Sequence, residues 1–217
     1  MKEKIGQVFS IAKDNPPLKG CTVSKEIHSG ENSISYFSLA KDTDISPEIY
    51  PSYKLIIPLS GSLEVYGSDG FLKNLDLGES ILTAIKKPVG FKSKEDSVYI
   101  EVNLRKETKM NEIIKAGEVF KLKDLISYGE DRIVNMDLMS NDKMKFVLMA
   151  FDKGTGLSEH AAPGSALILA LDGEAIIGYE GKDHLIRAGE NFHFAKGGLH
   201  SIKATENFKM ALILTLE

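Results

Sequence analysis

The stretch Gly156–Ala175, GLSEHAAPGSALILALDGEA, decides how this chain is read. It sets a single histidine, His160, just ahead of an apolar run that closes on Asp172-Gly173 at the entrance to a hairpin. An imidazole in that position looks like one half of a metal site. The residues behind it, Ala161 and Ala162, are small and inert, so the other half has to be sought further out in the chain.

Working outward, the chain answers to itself. Gly6-Gln7-Val8-Phe9 corresponds to Gly117-Glu118-Val119-Phe120, 111 residues on. DTDIS ending at Ser46 corresponds to GTGLS ending at Ser158, and Gly61 of LSGSLEV to Gly173 of LDGEAII, both 112 residues on. Leu77-Gly78-Glu79 then matches Ala188-Gly189-Glu190 at 111. Four anchors in one order at nearly one spacing predict two copies of one domain. The polar segment Arg105–Glu112, RKETKMNE, divides them into residues 1–104 and 113–217.

Each copy reads as strands. SYFSLA, KLIIPL, SLEVYG and SVYIEVNL lie in the first half, and KFVLMAF, ALILAL, EAIIGYE, NFHFA and FKMALILTL in the second. Turn signals separate them, among them Ser60-Gly61, Ser68-Asp69-Gly70, Asp172-Gly173 and Gly197-Gly198. Helical periodicity is nearly absent, with short helical turns expected only at Asn111–Lys115 and Lys123–Ser127. Many short strands at even spacing predict an all-β chain, with a sandwich or barrel in each half.

Composition narrows the function. The 27 basic and 31 acidic residues are interspersed, leaving no single-sign stripe for nucleic acid or an anionic membrane. No apolar run is long enough to span a bilayer, and the N-terminus MKEKIGQVFSIAKDN lacks the pattern of a signal peptide. These features predict a cytoplasmic protein that engages neither nucleic acid nor membrane. The one cysteine, Cys21, rules out an intrachain disulfide and is expected to be a small buried residue. No GxGxxG, Walker-type loop or GxSxG elbow occurs.

Residues Gly117–Glu217 resemble the cupin family of double-sheet jelly-roll barrels, which usually hold a divalent metal in the barrel mouth. Of the first family motif, a glycine, His-x-His, a glutamate and a closing glycine, this chain keeps Gly154, His160 and Gly173. Of the second, a glycine, Pro-x-Gly and a histidine, it keeps Gly189, Gly197 and His200, with Ala195 in the proline place. The resemblance implies two tandem cupin-type jelly-roll β-barrels, the first degenerate. It also implies a metal site for zinc, iron, nickel or manganese built on His160 and His200.

The departures matter more for function than the matches. The second histidine of the motif falls on Ala162 and its glutamate on Ala166. A tightly held divalent transition metal takes three or four protein ligands, and two imidazoles leave the rest to water or substrate. His193, on the strand NFHFA, is the one replacement on offer. Strand alternation turns it away from Phe192 and Phe194, so it faces the barrel interior only if those phenylalanines do not. Carried into the first half, the ligand positions fall on Glu48, Tyr50, Lys54 and about Val89, with no histidine among them. Glu48 and Lys54 share a face and can pair, either as a ligand contact or as a rim salt bridge.

Three functions follow. The first is a bicupin that binds a small-molecule ligand, such as a sugar or carboxylate, in the C-terminal barrel. The second is a metal-dependent enzyme of isomerase or dioxygenase type, with open coordination positions at His160 and His200. The third is a structural pair of domains stabilised as a homodimer through exposed strand edges.

Overall fold

The computed structural model describes residues 3–216. The described chain is almost wholly β, with one short α-helix at Ile11–Asp14 and one 3-10 turn at Leu122–Asp124. The residues around Asn111–Lys115, expected to be helical, form turns instead, because five residues cannot nucleate a helix without packing. The strands divide into two units, Ile11–Thr108 with Glu112–Lys121, and Met1–Ser10 with Lys109–Asn111 and Leu122–Glu217. We call them the N-terminal and C-terminal units.

The C-terminal unit pairs a seven-stranded with a four-stranded sheet. The larger runs in the order Val8–Phe9, Asn191–Phe194, Ser165–Asp172, Phe208–Thr215, Met144–Phe151, Ile133–Ser140, Lys109–Met110. The smaller runs Gly156–Ala161, Leu199–Ala204, Glu174–Tyr179, Lys182–Arg187. Phe151, Ile168, Phe192, Phe194 and Phe208 of the first share one core with Ala175, Ile177, Ile186 and Ile202 of the second. Each large apolar side chain taken fully out of water there contributes about 1.5–3 kcal/mol. Leu167 and Leu169, on the other face of the same strand, are buried too, which is why ALILAL shows no alternation. Asp172-Gly173 carries the chain from one sheet to the other. Gly173 has φ +69°, and a Cβ there would run into the Asn207 carbonyl.

The N-terminal unit repeats the plan. Its six-stranded sheet is Val119–Lys121, Glu79–Leu82, Tyr53–Ser60, Ser97–Leu104, Ile34–Leu39, Thr22–His28, and its four-stranded sheet Asp44–Ile49, Pro88–Lys92, Leu63–Tyr66, Leu72–Leu75. Leu39, Ile56, Ile81 and Tyr99 of the first meet Leu63, Val65, Leu75, Val89 and Phe91 of the second. In both units the two sheets enclose the core as separate hydrogen-bonded layers rather than one continuous closed barrel.

The units differ from a linear division at residues 104 and 113 by a reciprocal exchange. Val8–Phe9 pairs with Asn191–Phe192 of the C-terminal unit, and the Gly6 N–H donates to the His193 carbonyl at 3.0 Å. Val119–Lys121 pairs with Glu79–Ile81 of the N-terminal unit, and the Gly117 N–H donates to Leu82 O at 2.8 Å. These are the two matching segments of the internal repeat, and each closes a sheet edge of the other copy. Edge pairing satisfies backbone groups whatever the side chains, so it leaves no mark on composition. Cys21, expected to be buried, is exposed just ahead of the edge strand Thr22–His28, which has a neighbour on one side only.

Candidate functional site

The two histidines of the motif meet across the smaller sheet of the C-terminal unit. Gly156–Ala161 and Leu199–Ala204 pair antiparallel, and the register shifts between Leu157 and His160. That bulge sets Ser158 and Glu159 off the ladder and brings His160 directly opposite His200. The ring centroids are 4.2 Å apart with the planes at 51°. His160 is exposed, and His200 is buried beneath it. His200 in turn stacks on Phe194, centroids 4.1 Å apart and planes at 28°.

Hydrogen bonding fixes which nitrogen faces out. His160 Nδ1 lies 2.8 Å from Ser158 O and His200 Nδ1 3.2 Å from Gly198 O. A carbonyl only accepts, so each Nδ1 carries the proton and each Nε2 keeps its lone pair. Neither Nε2 has a hydrogen-bond partner among the described residues. Burial lowers the His200 pKa below its ordinary 6.5; the Gly198 carbonyl opposes that shift and His160 adds to it. His200 is therefore neutral at pH 7. Ala162 and Ala166, at the motif's other two ligand positions, are methyls buried in the core.

His193 does not join them. Phe192 and Phe194 fill the core between the sheets, so alternation turns His193 to the opposite face of the larger sheet. There it is fully buried, with Nδ1 2.6 Å from Glu3 O and Nε2 2.8 Å from Ser165 Oγ. Both ring nitrogens are used: Nδ1–H donates to the carbonyl and Nε2 accepts from the serine. Burial lowers this pKa as well, against the opposing pull of the Glu3 carbonyl. The expectation of His193 as a third metal ligand is corrected accordingly, and the imidazole holds the exchanged N-terminal segment in place. Of the other histidines, His184 packs its ring 5.2 Å from Phe192.

The same positions in the N-terminal unit carry different chemistry. Glu48 faces Val89 across a bulge between Ile45 and Glu48, as His160 faces His200. The expected Glu48–Lys54 pair does not form. Lys54 Nζ turns inward to Glu101 Oε1 at 2.5 Å, both side chains being about nine-tenths buried, and Glu48 instead accepts from the Tyr50 hydroxyl at 3.0 Å. The ammonium also lies 3.8 Å from the Tyr50 ring centroid. Burial, then the Glu48 carboxylate, pushes the Tyr50 pKa up to about 12. Beneath the cluster the Tyr99 hydroxyl is buried with no partner among the described residues. Glu101 was missed in the sequence; its mark is a lone carboxylate with the parity of core residue Tyr99 in SVYIEVNL.

The model of the cupin domain family matches residues 147–216, the part of the chain that holds both paired histidines. Among solved structures, the chain is similar to a cupin 2 conserved barrel domain protein from Leptotrichia buccalis, with 26% identity, 99% of each chain covered and a TM-score of 0.87. Residues 147–216 carry a cupin domain.

More distant cupin-like structures agree in fold alone. A variant of salicylate 1,2-dioxygenase from Pseudoaminobacter salicylatoxidans is 9% identical over 85% of this chain and 70% of that one, with a TM-score of 0.63. A variant of oxalate decarboxylase from Bacillus subtilis is 12% identical over 99% and 78%, with a TM-score of 0.51. No curated protein matches the sequence. No helix among the described residues is long and apolar enough to cross a membrane.

The donor set of the C-terminal site falls short of a resident metal. Two adjacent Nε2 lone pairs supply half of a tetrahedral shell, and methyl groups occupy the places of the remaining ligands. Among the described residues no group of three or more His, Cys, Asp or Glu side chains is placed to hold a metal ion. What the site presents is a pair of imidazoles, one exposed and one buried against an aromatic ring.

Proposed function

We propose that this protein binds a small hydroxylated molecule, a sugar or other polyol, at the mouth of the C-terminal unit, with His160 and His200 as paired acceptors and without a resident metal. The carrying observation is the pair itself: rings 4.2 Å apart, with both Nδ1–H groups committed to backbone carbonyls. Two neighbouring lone pairs that cannot donate select a ligand that donates two hydrogen bonds, as a vicinal diol does. A carboxylate would meet them lone pair to lone pair and is disfavoured while the rings are neutral. The exposed His160 meets the ligand first, and Phe194 keeps the His200 ring from turning.

A metal-dependent enzyme is the second reading. The observation that favours it is the Nδ1–H to carbonyl contact at both rings, an arrangement common behind metal-binding histidines. Elemental analysis of the purified protein beside a His160→Ala, His200→Ala double variant separates the two. Metal far below one equivalent, with polyol titration moving the two imidazole resonances, is the expected outcome. One equivalent of zinc, iron, nickel or manganese that is lost in the double variant would replace the first reading by the second.

A further inference from the structure

The two units differ at one core position in a way that leaves room for a ligand. In the C-terminal unit Gly178 pairs with Ser201 and Tyr179 follows it, while in the N-terminal unit Tyr66 pairs with Gly90 and Gly67 follows. The registers therefore make Gly67 the counterpart of Tyr179. Tyr179 drives its ring into the core against Phe192 and Phe194, centroids 5.7 and 5.6 Å away. The fit is close: a Cβ on Gly6 would lie 2.8 Å from the ring, and one on Gly198 2.6 Å from the hydroxyl. The Tyr179 hydroxyl accepts from the Ala195 N–H at 3.4 Å.

With glycine at 67 that phenol is gone, and the N-terminal unit contains a cavity of about 270 Å³ in the corresponding place. Its wall includes Gly117, Lys87, Thr83 and Ala84. These are the register counterparts of Gly6, Gly198, Phe194 and Ala195, all of which touch Tyr179 in the other copy. Phe71 and Val89 supply apolar walls. A Cβ on Gly117 would meet only Phe71, at 3.8 Å, so the packing that closes on Gly6 is open here.

The polar groups left over in this wall are donors. The Ala84 N–H, counterpart of the amide that meets Tyr179, has no partner among the described residues. Thr83 Oγ1 accepts from the Lys54 N–H, which leaves its own proton free to donate. Lys87 stands at the rim with its side chain 64% exposed, 3.6 Å from Asp69 Oδ2. The acceptor Asp69 is already engaged, since its Oδ1 also takes the Phe71 N–H at 3.3 Å. Three donors around a ring-sized apolar space call for a flat ring bearing an acceptor. A Cβ at Lys87, where the other copy has glycine, keeps that acceptor from sitting where the Tyr179 hydroxyl sits and moves it toward the Lys87 ammonium.

We infer that this cavity is a second ligand site, separate from the histidine pair, and that it takes a single-ring aromatic carboxylate. The ring lies against Phe71 in the space a tyrosine fills in the other copy, with the carboxylate on Ala84 N–H, Thr83 Oγ1 and Lys87. The volume is at the small end for ligand pockets and suits one ring.

Titration of the full chain with sodium benzoate, followed by calorimetry and by amide spectra, tests this. Saturable binding of one benzoate per chain, with the Ala84 amide among the shifted resonances, is expected. Lys87→Ala should weaken it about threefold and Asp69→Asn should tighten it about threefold, the scale of an exposed ion pair. Ala116→Trp, at an exposed wall position, should abolish it, and benzyl alcohol should bind with no response to either charge variant. Absence of saturable binding would overturn the inference. So would binding that survives Ala116→Trp, or charge variants that shift affinity in the same direction.

Discussion

His160, His193 and His200 occupy three environments set by where the backbone places each ring. His160 and His200 are brought together by one bulge and keep two lone pairs free, while His193 spends both nitrogens on the Glu3 carbonyl and Ser165. Replacing His193 by alanine removes its hydrogen bonds to the Glu3 carbonyl and Ser165 and opens a cavity, so a loss of about 2–3 kcal/mol is expected in denaturant unfolding. Acid should act through the two buried rings. Burial lowers both folded pKa values below the ordinary 6.5, so the unfolded chain takes up protons first. Their stability is whole above that pH and is lost as pH falls through the lowered folded values. Melting temperature followed from neutral pH downward should drop less steeply in His200→Gln than in wild type; equal slopes would remove His200 from this account. The sequence carried the spacing of His160 and His200 and the opposed parity of His193 and its phenylalanine neighbours. Which face those phenylalanines took depends on the partner sheet, and no local pattern records that.

At the scale of elements, the exchange of Val8–Phe9 and Val119–Lys121 makes the C-terminal unit depend on a segment that precedes it along the chain and the N-terminal unit on one that follows it. A fragment of residues 113–217 lacks Val8–Phe9, leaving the Asn191–Phe194 edge unpaired and His193 without the Glu3 carbonyl. Such a fragment should melt well below the full chain, and a synthetic peptide of residues 1–10 should raise its melting temperature when added in trans. A fragment as stable as the whole, indifferent to the peptide, would contradict the pairing. The repeat GQVF and GEVF was legible in the sequence, as were the most apolar strands, but not the more polar Thr22–His28, Ile133–Ser140 and Lys182–Arg187. The repeat's crossed partnership was not, because ladder hydrogen bonds are made by backbone groups that every residue carries.

Across the whole molecule, one plan has been filled in two ways. The C-terminal copy sets Ala166 and Leu212 where the N-terminal copy sets Lys54 and Glu101, as the registers Ile168 to Leu212 and Ile56 to Glu101 show. Breaking that buried ion pair from one side, as Lys54→Ala or Glu101→Ala, should cost about 3–5 kcal/mol, since the remaining charge has no water to turn to. Replacing both together, as Lys54→Met with Glu101→Leu, should leave stability unchanged or raised, because the other copy folds around apolar residues at these places. Chemical denaturation of the three variants decides it, and a double variant as weak as the singles would show that the pair is needed for more than charge balance. The two-copy plan was readable from four sequence anchors. The inward turn of Lys54 was not, because its partner Glu101 sits 47 residues away on another strand.

The claim on which the account rests is that His160 and His200 form one neighbouring pair of rings whose Nδ1–H groups are committed to backbone carbonyls, leaving both Nε2 atoms without a partner among the described residues. Long-range proton–nitrogen correlation spectra of the histidine rings, assigned with His160→Ala and His200→Ala variants, report it directly. The account predicts the Nδ1–H tautomer for both rings at about pH 7.5, and a His200 pKa below the ordinary range that rises when His160 is removed. Nε2–H tautomers, or a His200 titration indifferent to the loss of His160, would contradict it.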